Sequence, residues 1–173
     1  MLDYDGTLTA HHRLPDFAHP SASVLKLLSE LVQLPQTVVY ILSGRRCEHL
    51  DGWFGDAGVG LVAEYGCFVK HPQLIEDMLK QQENDFISGK EMKNGWRSLA
   101  TQADLSWKDT IRPLLQHFTA RTPGSSLEEK EVVITWHYRN ADPEFGAWQA
   151  RELQMSLDKI ISHMPVSVST KSV

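Results

Sequence analysis

Cysteine is scarce: Cys47 and Cys67 are the only two among 173 residues. That excludes a disulfide framework and a cysteine zinc cluster, and predicts a reducing intracellular setting with both thiols packed as small buried hydrophobes. Positive charge is also short. Lys and Arg number 17 against 22 Asp and Glu, leaving a net charge of −5 and a pI near 5.9. Nucleic acid is therefore excluded as the main partner, because backbone phosphates are bound by clustered Lys and Arg. No apolar run approaches a membrane span and no basic-then-apolar leader is present, so a soluble, cytoplasmic chain is expected, with no membrane partner. Repeats and low-complexity tracts are missing as well.

What is present is a substantial apolar fraction, 42%, enough for one generous domain or two small ones. The first third alternates strand, helix and strand, the pattern of a parallel α/β sheet. Val24, Leu27, Leu28 and Leu31 recur at helical spacing after Ser21 and Ser23, and Pro35 closes that helix. Thr37 to Leu42 is β-branched and apolar on both faces, as in a strand buried between layers. Val59 to Ala63 predicts a third strand, ending in Glu64 as a carboxylate on water. From about His71 to Asn94 the chain is polar and aperiodic, and a surface excursion or linker is expected.

A second unit follows. Ser106 to Asp109 has capping-box character, and Trp107, Ile111, Leu114, Leu115 and Phe118 form one helical stripe that Pro113 should kink or start later. Ser125 to Glu129 and Val132 to Arg139 predict a hairpin, Asp142-Pro143-Glu144 opens a long helix, and Val166 to Val168 predicts a last short strand.

The chemistry concentrates in Asp3-Tyr4-Asp5-Gly6-Thr7. If Asp3 ends a strand, Asp3 and Asp5 project to the same side, because side chains alternate along extended backbone. Two like charges that close are costly unless relieved, so the pair points to Mg²⁺ or to one acid and one nucleophile; a strand ending in a plain Asp-Gly turn is the alternative. An EF-hand is excluded, since its sixth and twelfth positions would be Leu8 and Leu14. Ser43-Gly44-Arg45 directly follows a buried strand, where amides and a hydroxyl can hold an anion or where Ser43 merely caps a helix. On the predicted hairpin, His137 and Arg139 share a half-polar face, with Glu128 and Lys130 near the turn. That face can address a phosphate or sugar, or be a solvated sheet face with a surface charge pair.

Together these segments resemble the trehalose-6-phosphate phosphatases of the haloacid dehalogenase-like superfamily, with wording most like the fungal members. LDYDGTLT, YILSGR, GLVAEYGCF, FTARTPGSSLEEK and TWHYRNADPEFGAWQARELQ occur in the family's order. The resemblance implies a partial Rossmannoid core over residues 1–70, a polar insert over 71–97 and a small α/β cap over 98–173. It implies Asp3 as nucleophile, Asp5 as general acid and later base, and Mg²⁺ beside both. Gly6, Thr7, Ser43, Gly44 and Arg45 would hold the phosphate, and Arg121, Glu128, Lys130, His137 and Arg139 of the cap would hold trehalose 6-phosphate. A trehalose-6-phosphate synthase is the implied protein partner, and a non-catalytic phosphosugar-binding module is the alternative function.

One departure bears on activity. The superfamily also uses a downstream Lys and an acidic motif, whereas here no glycine follows Gly146, Asp158 is the only later aspartate, and Lys171 stands near the end. The chain therefore reads as a front core plus cap, expected to turn over weakly or not at all by itself.

Overall fold

The computed structural model describes residues 1–10, 12, 17–81, 90–100 and 104–170. It divides into two compact units, Met1–Gln102 and Ala103–Val173.

In the first unit, strands β1 (Leu2–Asp3), β2 (Tyr40–Leu42) and β3 (Gly60–Ala63) lie side by side and parallel. Helix α1 (Ala22–Leu31) connects the first two and α2 (Cys47–Phe54) the next two. Ser21 caps α1, its side chain accepting from the Val24 N–H. The expected strand from Thr37 is shorter than its apolar run. Leu2 pairs with Ile41 and Asp3 with Leu42, so β1 offers nothing to hold residues 37–39, and Val38 is exposed. All four residues of β3 are buried, as a strand between layers requires.

Three further strands extend the sheet antiparallel: β4 (Phe68–Lys70), β5 (Lys90–Glu91) and β6 (Trp96–Ser98), in the order β1-β2-β3-β4-β6-β5. The stretch read as a polar excursion thus carries helix α3 (Gln73–Gln81) and strand β5, with β6 directly after it. Polar side chains here and in the flanking elements are paired. Arg97 is bonded to Glu76, and the buried Trp96 indole N–H donates to Asp51 at 2.8 Å. Asn94 and Gly95, both at positive φ, make the β5–β6 turn that alternation alone does not reveal. Tyr4, Leu28, Ile41, Leu50, Phe54, Leu61 and Phe68 form the centre of this unit's core.

The second unit packs α4 (Trp107–Arg121) and α5 (Pro143–Ile161) with the hairpin β7 (Ser126–Glu129) and β8 (Ile134–His137). Ile111, Leu115 and Phe118 meet Leu153, Leu157 and Ile161, with Leu127, Ile134 and Trp136 closing over them. Each such side chain contributes about 1.5–3 kcal/mol by leaving water. That burial carries α4 from Trp107 through Pro113 as one helix, against the expectation of a later start. Ser106 makes no capping bond; its own N–H is instead accepted by Asp104. Asp142 caps α5 as its sequence predicts, accepting from Phe145. Val166 and Val168 form no strand; they pack on the core as irregular chain, where burial alone satisfies them. Neither cysteine is buried outright, since Cys47 opens α2 and Cys67 lies in the β3–β4 turn, both half-buried.

Candidate active site

The three parallel strands end level with one another, so the segments that follow them meet at one sheet edge. Period-two alternation separates the first of these segments: Tyr4 is fully buried while Asp3 is exposed and Asp5 half-buried. The Tyr4 hydroxyl donates to the Ala18 carbonyl at 2.5 Å. Burial above all pushes its pKa up to about 12, so it remains a donor. The amides of Thr7, Leu8 and Thr9 converge on the Tyr4 carbonyl, and Gly6, at φ 89°, donates to Thr9 at 2.8 Å. This tight turn engages the Gly6 and Thr7 amides, leaving the Thr7 hydroxyl 3.5 Å from Asp3 Oδ2.

Asp5 has a partner forty residues away. Arg45 donates from Nε to Oδ2 at 3.1 Å and from Nη2 to Oδ1 at 2.7 Å, a two-point fork. Arg45 is only 8% exposed, and its guanidinium lies over the Trp53 ring at 4.8 Å and the Tyr4 ring at 5.5 Å. Ser43, also buried, accepts the Arg45 N–H on Oγ at 3.2 Å, and its hydroxyl stands 3.5 Å from Asp5 Oδ2. The third segment closes on the second. Glu64 N donates to the Arg45 carbonyl at 3.0 Å and Tyr65 N to the Ser43 carbonyl at 3.2 Å. Glu64 and Tyr65 hold φ of 45° and 58°, a conformation that non-glycine residues adopt at a cost. Glu64 is 3% exposed, not the solvated carboxylate expected from its place at a strand end.

Within the second unit, the cap candidates divide. Glu128 accepts from His137 at 2.9 Å and stands 3.5 Å from the Lys130 ammonium, with Lys130 itself buried. The His137 contact, with Lys130 behind it, holds the Glu128 carboxyl below the usual glutamate range against its burial. Lys108, which the sequence did not single out, fixes the hairpin loop by donating to the carbonyls of Lys130 at 2.5 Å and Glu131 at 2.7 Å. Arg121 lies over the Phe118 ring at 5.6 Å, and Arg139 is exposed beyond β8.

A divalent cation is general among phosphatases of the haloacid dehalogenase type. The hard carboxylate oxygens of Asp3 and Asp5 suit such an ion in kind. They do not complete a site: among the described residues no three His, Cys, Asp or Glu side chains gather as ligands, and Asp5 is engaged by Arg45. Trp53, Glu64 and Tyr65 beside the aspartates, and separately Lys108 behind the second unit's hairpin loop, are the residues that sequence reasoning left out or misplaced. Only Tyr65 carried a local signal, standing before Gly66 at a strand end.

A paired-aspartate turn and a serine directly after the next parallel strand are the pattern of a phosphatase domain of haloacid dehalogenase type. A family model for trehalose-phosphatase matches residues 1–172, and the chain belongs to that family. It is 46% identical over 160 residues to alpha,alpha-trehalose-phosphate synthase [UDP-forming] A of Dictyostelium discoideum, covering 92% of this chain and 19% of that protein. A trehalose-phosphatase of Schizosaccharomyces pombe is 41% identical over 162 residues, 93% of this chain and 18% of that one. The C-terminal domain of the C. albicans trehalose-6-phosphate phosphatase superposes with a TM-score of 0.76 at 35% identity, covering 92% of this chain and 49% of the solved one. The chain thus spans about a fifth of the length of these curated relatives. No helix among the described residues is long and apolar enough to cross a membrane.

Proposed function

We propose that this chain contributes the nucleophile, the acid/base and the sugar-binding cap of a phosphomonoesterase that hydrolyses trehalose 6-phosphate to trehalose and phosphate. The observation that carries this reading is the asymmetry of the two aspartates: Asp3 is open to solvent, whereas Asp5 is held by Arg45 beside Ser43. An exposed carboxylate can approach a phosphorus atom, and a positioned one can exchange a proton with the leaving oxygen.

In the first step an Asp3 oxygen forms a bond to phosphorus as the bond to the sugar oxygen breaks, and Asp5 gives that oxygen its proton. In the second, Asp5 takes a proton from water, which attacks the aspartyl phosphate, releasing phosphate and restoring Asp3. Splitting one slow hydrolysis in this way lowers the barrier of each part. Ser43, Gly44, Gly6, Thr7 and Arg45 are the candidate phosphate contacts. Glu128, Lys130, His137, Arg121 and Arg139 are those for the sugar, with Glu128, His137 and Lys130 already clustered for hydrogen bonding to hydroxyls. The cation proposed is Mg²⁺, matched to hard oxygen donors at Asp3 and Asp5. A trehalose-6-phosphate synthase is the proposed protein partner, in keeping with the names of several relatives.

The test is phosphate release from trehalose 6-phosphate by the full-length protein with Mg²⁺. The expected result is turnover abolished in Asp3→Asn, with a phosphorylated Asp3 peptide detected by mass spectrometry in the active protein. Binding of the phosphosugar without any release would instead mark a non-catalytic binding module.

A further inference from the structure

From the packing around Arg45 we infer that Trp53 is a positioning residue for the acid/base Asp5, acting through the Arg45 guanidinium; this rests on the phosphatase reading above. A guanidinium fork orients a carboxyl group only if the fork itself is fixed in plane, and Arg carries a long, rotamer-rich side chain. The plane is set here by rings. Trp53 lies under Arg45 at 4.8 Å and Tyr4 approaches it at 5.5 Å.

Trp53 is itself boxed in. On α2 the His49 ring, one turn earlier, stacks on the indole at 5.7 Å with an interplanar angle of 11°. His19 meets it edge-on at 5.1 Å, and Tyr4 stands tilted at 5.5 Å. Tyr4 is pinned in turn by the Ala18 carbonyl and by the edge of Phe54. The aromatic residue between the two aspartates and the indole of α2 therefore grip one guanidinium, which grips one aspartate.

This arrangement explains why Arg45 is buried with its guanidinium held against Asp5. Removing the indole frees the guanidinium to rotate, and Asp5 loses the plane in which it must meet the leaving oxygen. Misplacement of a proton donor is felt most by leaving groups that need the proton.

The experiment compares two esters in the full-length protein carrying Trp53→Leu. Trehalose 6-phosphate has an alkoxide leaving group that requires protonation, whereas 4-nitrophenyl phosphate expels a stable phenolate without it. Single-turnover release of the sugar is expected to slow at least tenfold more than the burst of 4-nitrophenolate, with KM for the phosphosugar within about threefold of the unmodified protein. Trp53→Phe, which keeps a ring under the guanidinium, should restore most of the rate. Arg45→Lys retains charge without the fork; it should reproduce the selective loss and serves as the second variant if Trp53→Leu does not fold. Equal slowing with both esters, or a rise in KM without change in the sugar-release rate, would overturn the positioning role. Failure of the unmodified protein to release phosphate from either ester would overturn the phosphatase reading and this inference together.

Discussion

His137 and Glu128 face each other across the β7–β8 hairpin at 2.9 Å, and the Lys130 ammonium stands 3.5 Å from the same carboxylate oxygen. The contact holds Glu128 in its charged form to lower pH than an ordinary glutamate. A carboxyl whose folded-state pKa is depressed adds stability above its unfolded pKa and loses it as pH falls through the folded one. The melting temperature of the unmodified protein should therefore exceed that of Glu128→Gln at neutral pH. That difference should shrink below the usual glutamate range, near about pH 4. A difference constant from pH 7 to pH 3 would contradict the assignment.

Asp5→Asn should lower kcat for trehalose 6-phosphate by roughly 10²–10⁴, the usual worth of a positioned general acid and base. Its effect should differ in kind from that of Asp3→Asn, because the proposed nucleophile is still present. Rapid-quench analysis should show slow formation of the aspartyl phosphate from the phosphosugar and slow decay of the intermediate. An unchanged kcat would remove Asp5 from the mechanism.

Gly124 sits at φ 85°, and a Cβ on it would stand 2.2 Å from the backbone carbonyl oxygen of Asn140. Neither the conformation nor the space admits a side chain. Gly124→Ala should destabilise the second unit by at least about 2 kcal/mol, read by urea unfolding. The same change at Gly44 meets only the outer atoms of the Tyr65 ring, at 2.4 Å, and that side chain is half exposed and can swing. Gly44→Ala should leave stability within about 1 kcal/mol while displacing Tyr65, visible as a change in ligand affinity.

Gln149 is fully buried on α5, and its amide has no hydrogen-bond partner among the described residues. A buried amide without partners costs about 1–3 kcal/mol, whereas an apolar side chain of similar shape costs nothing there. Gln149→Met should raise the melting temperature. A fall would show the amide to be satisfied.

Leu115→Ala, at the centre of the contact between α4 and α5, should cost about 2–5 kcal/mol through lost burial and the cavity left behind. Hydrogen exchange should show the loss in amides of α4 and α5.

Much of this fold is legible locally. Asp142-Pro143-Glu144 announces α5, the stripe from Trp107 to Phe118 gives the inner face of α4, and alternation places Leu127, Ile134 and Trp136 on the inner side of the hairpin. Each depends on contacts between residues a few positions apart, so the order of side chains is sufficient. The stretch around α3, β5 and β6 was not legible, because β6 is held by Phe68 to Lys70, β5 only by β6, and its charged side chains find one another only after folding.

By itself the sequence determined that Asp3 and Asp5 share a side while Tyr4 turns inward, because extended backbone has a period of two, and its motifs determined the family. How each aspartate is held was decided by tertiary structure. Arg45, Trp53 and Glu64 reach that sheet edge only through the register of β1 on β2 and of β2 on β3, which pairs Asp3 with Leu42 and Leu42 with Val62. No local rule carries that information. A guanidinium forty residues away becomes the partner of one carboxylate and leaves the other open because strand pairing, core packing and an aromatic box converge on one point in space.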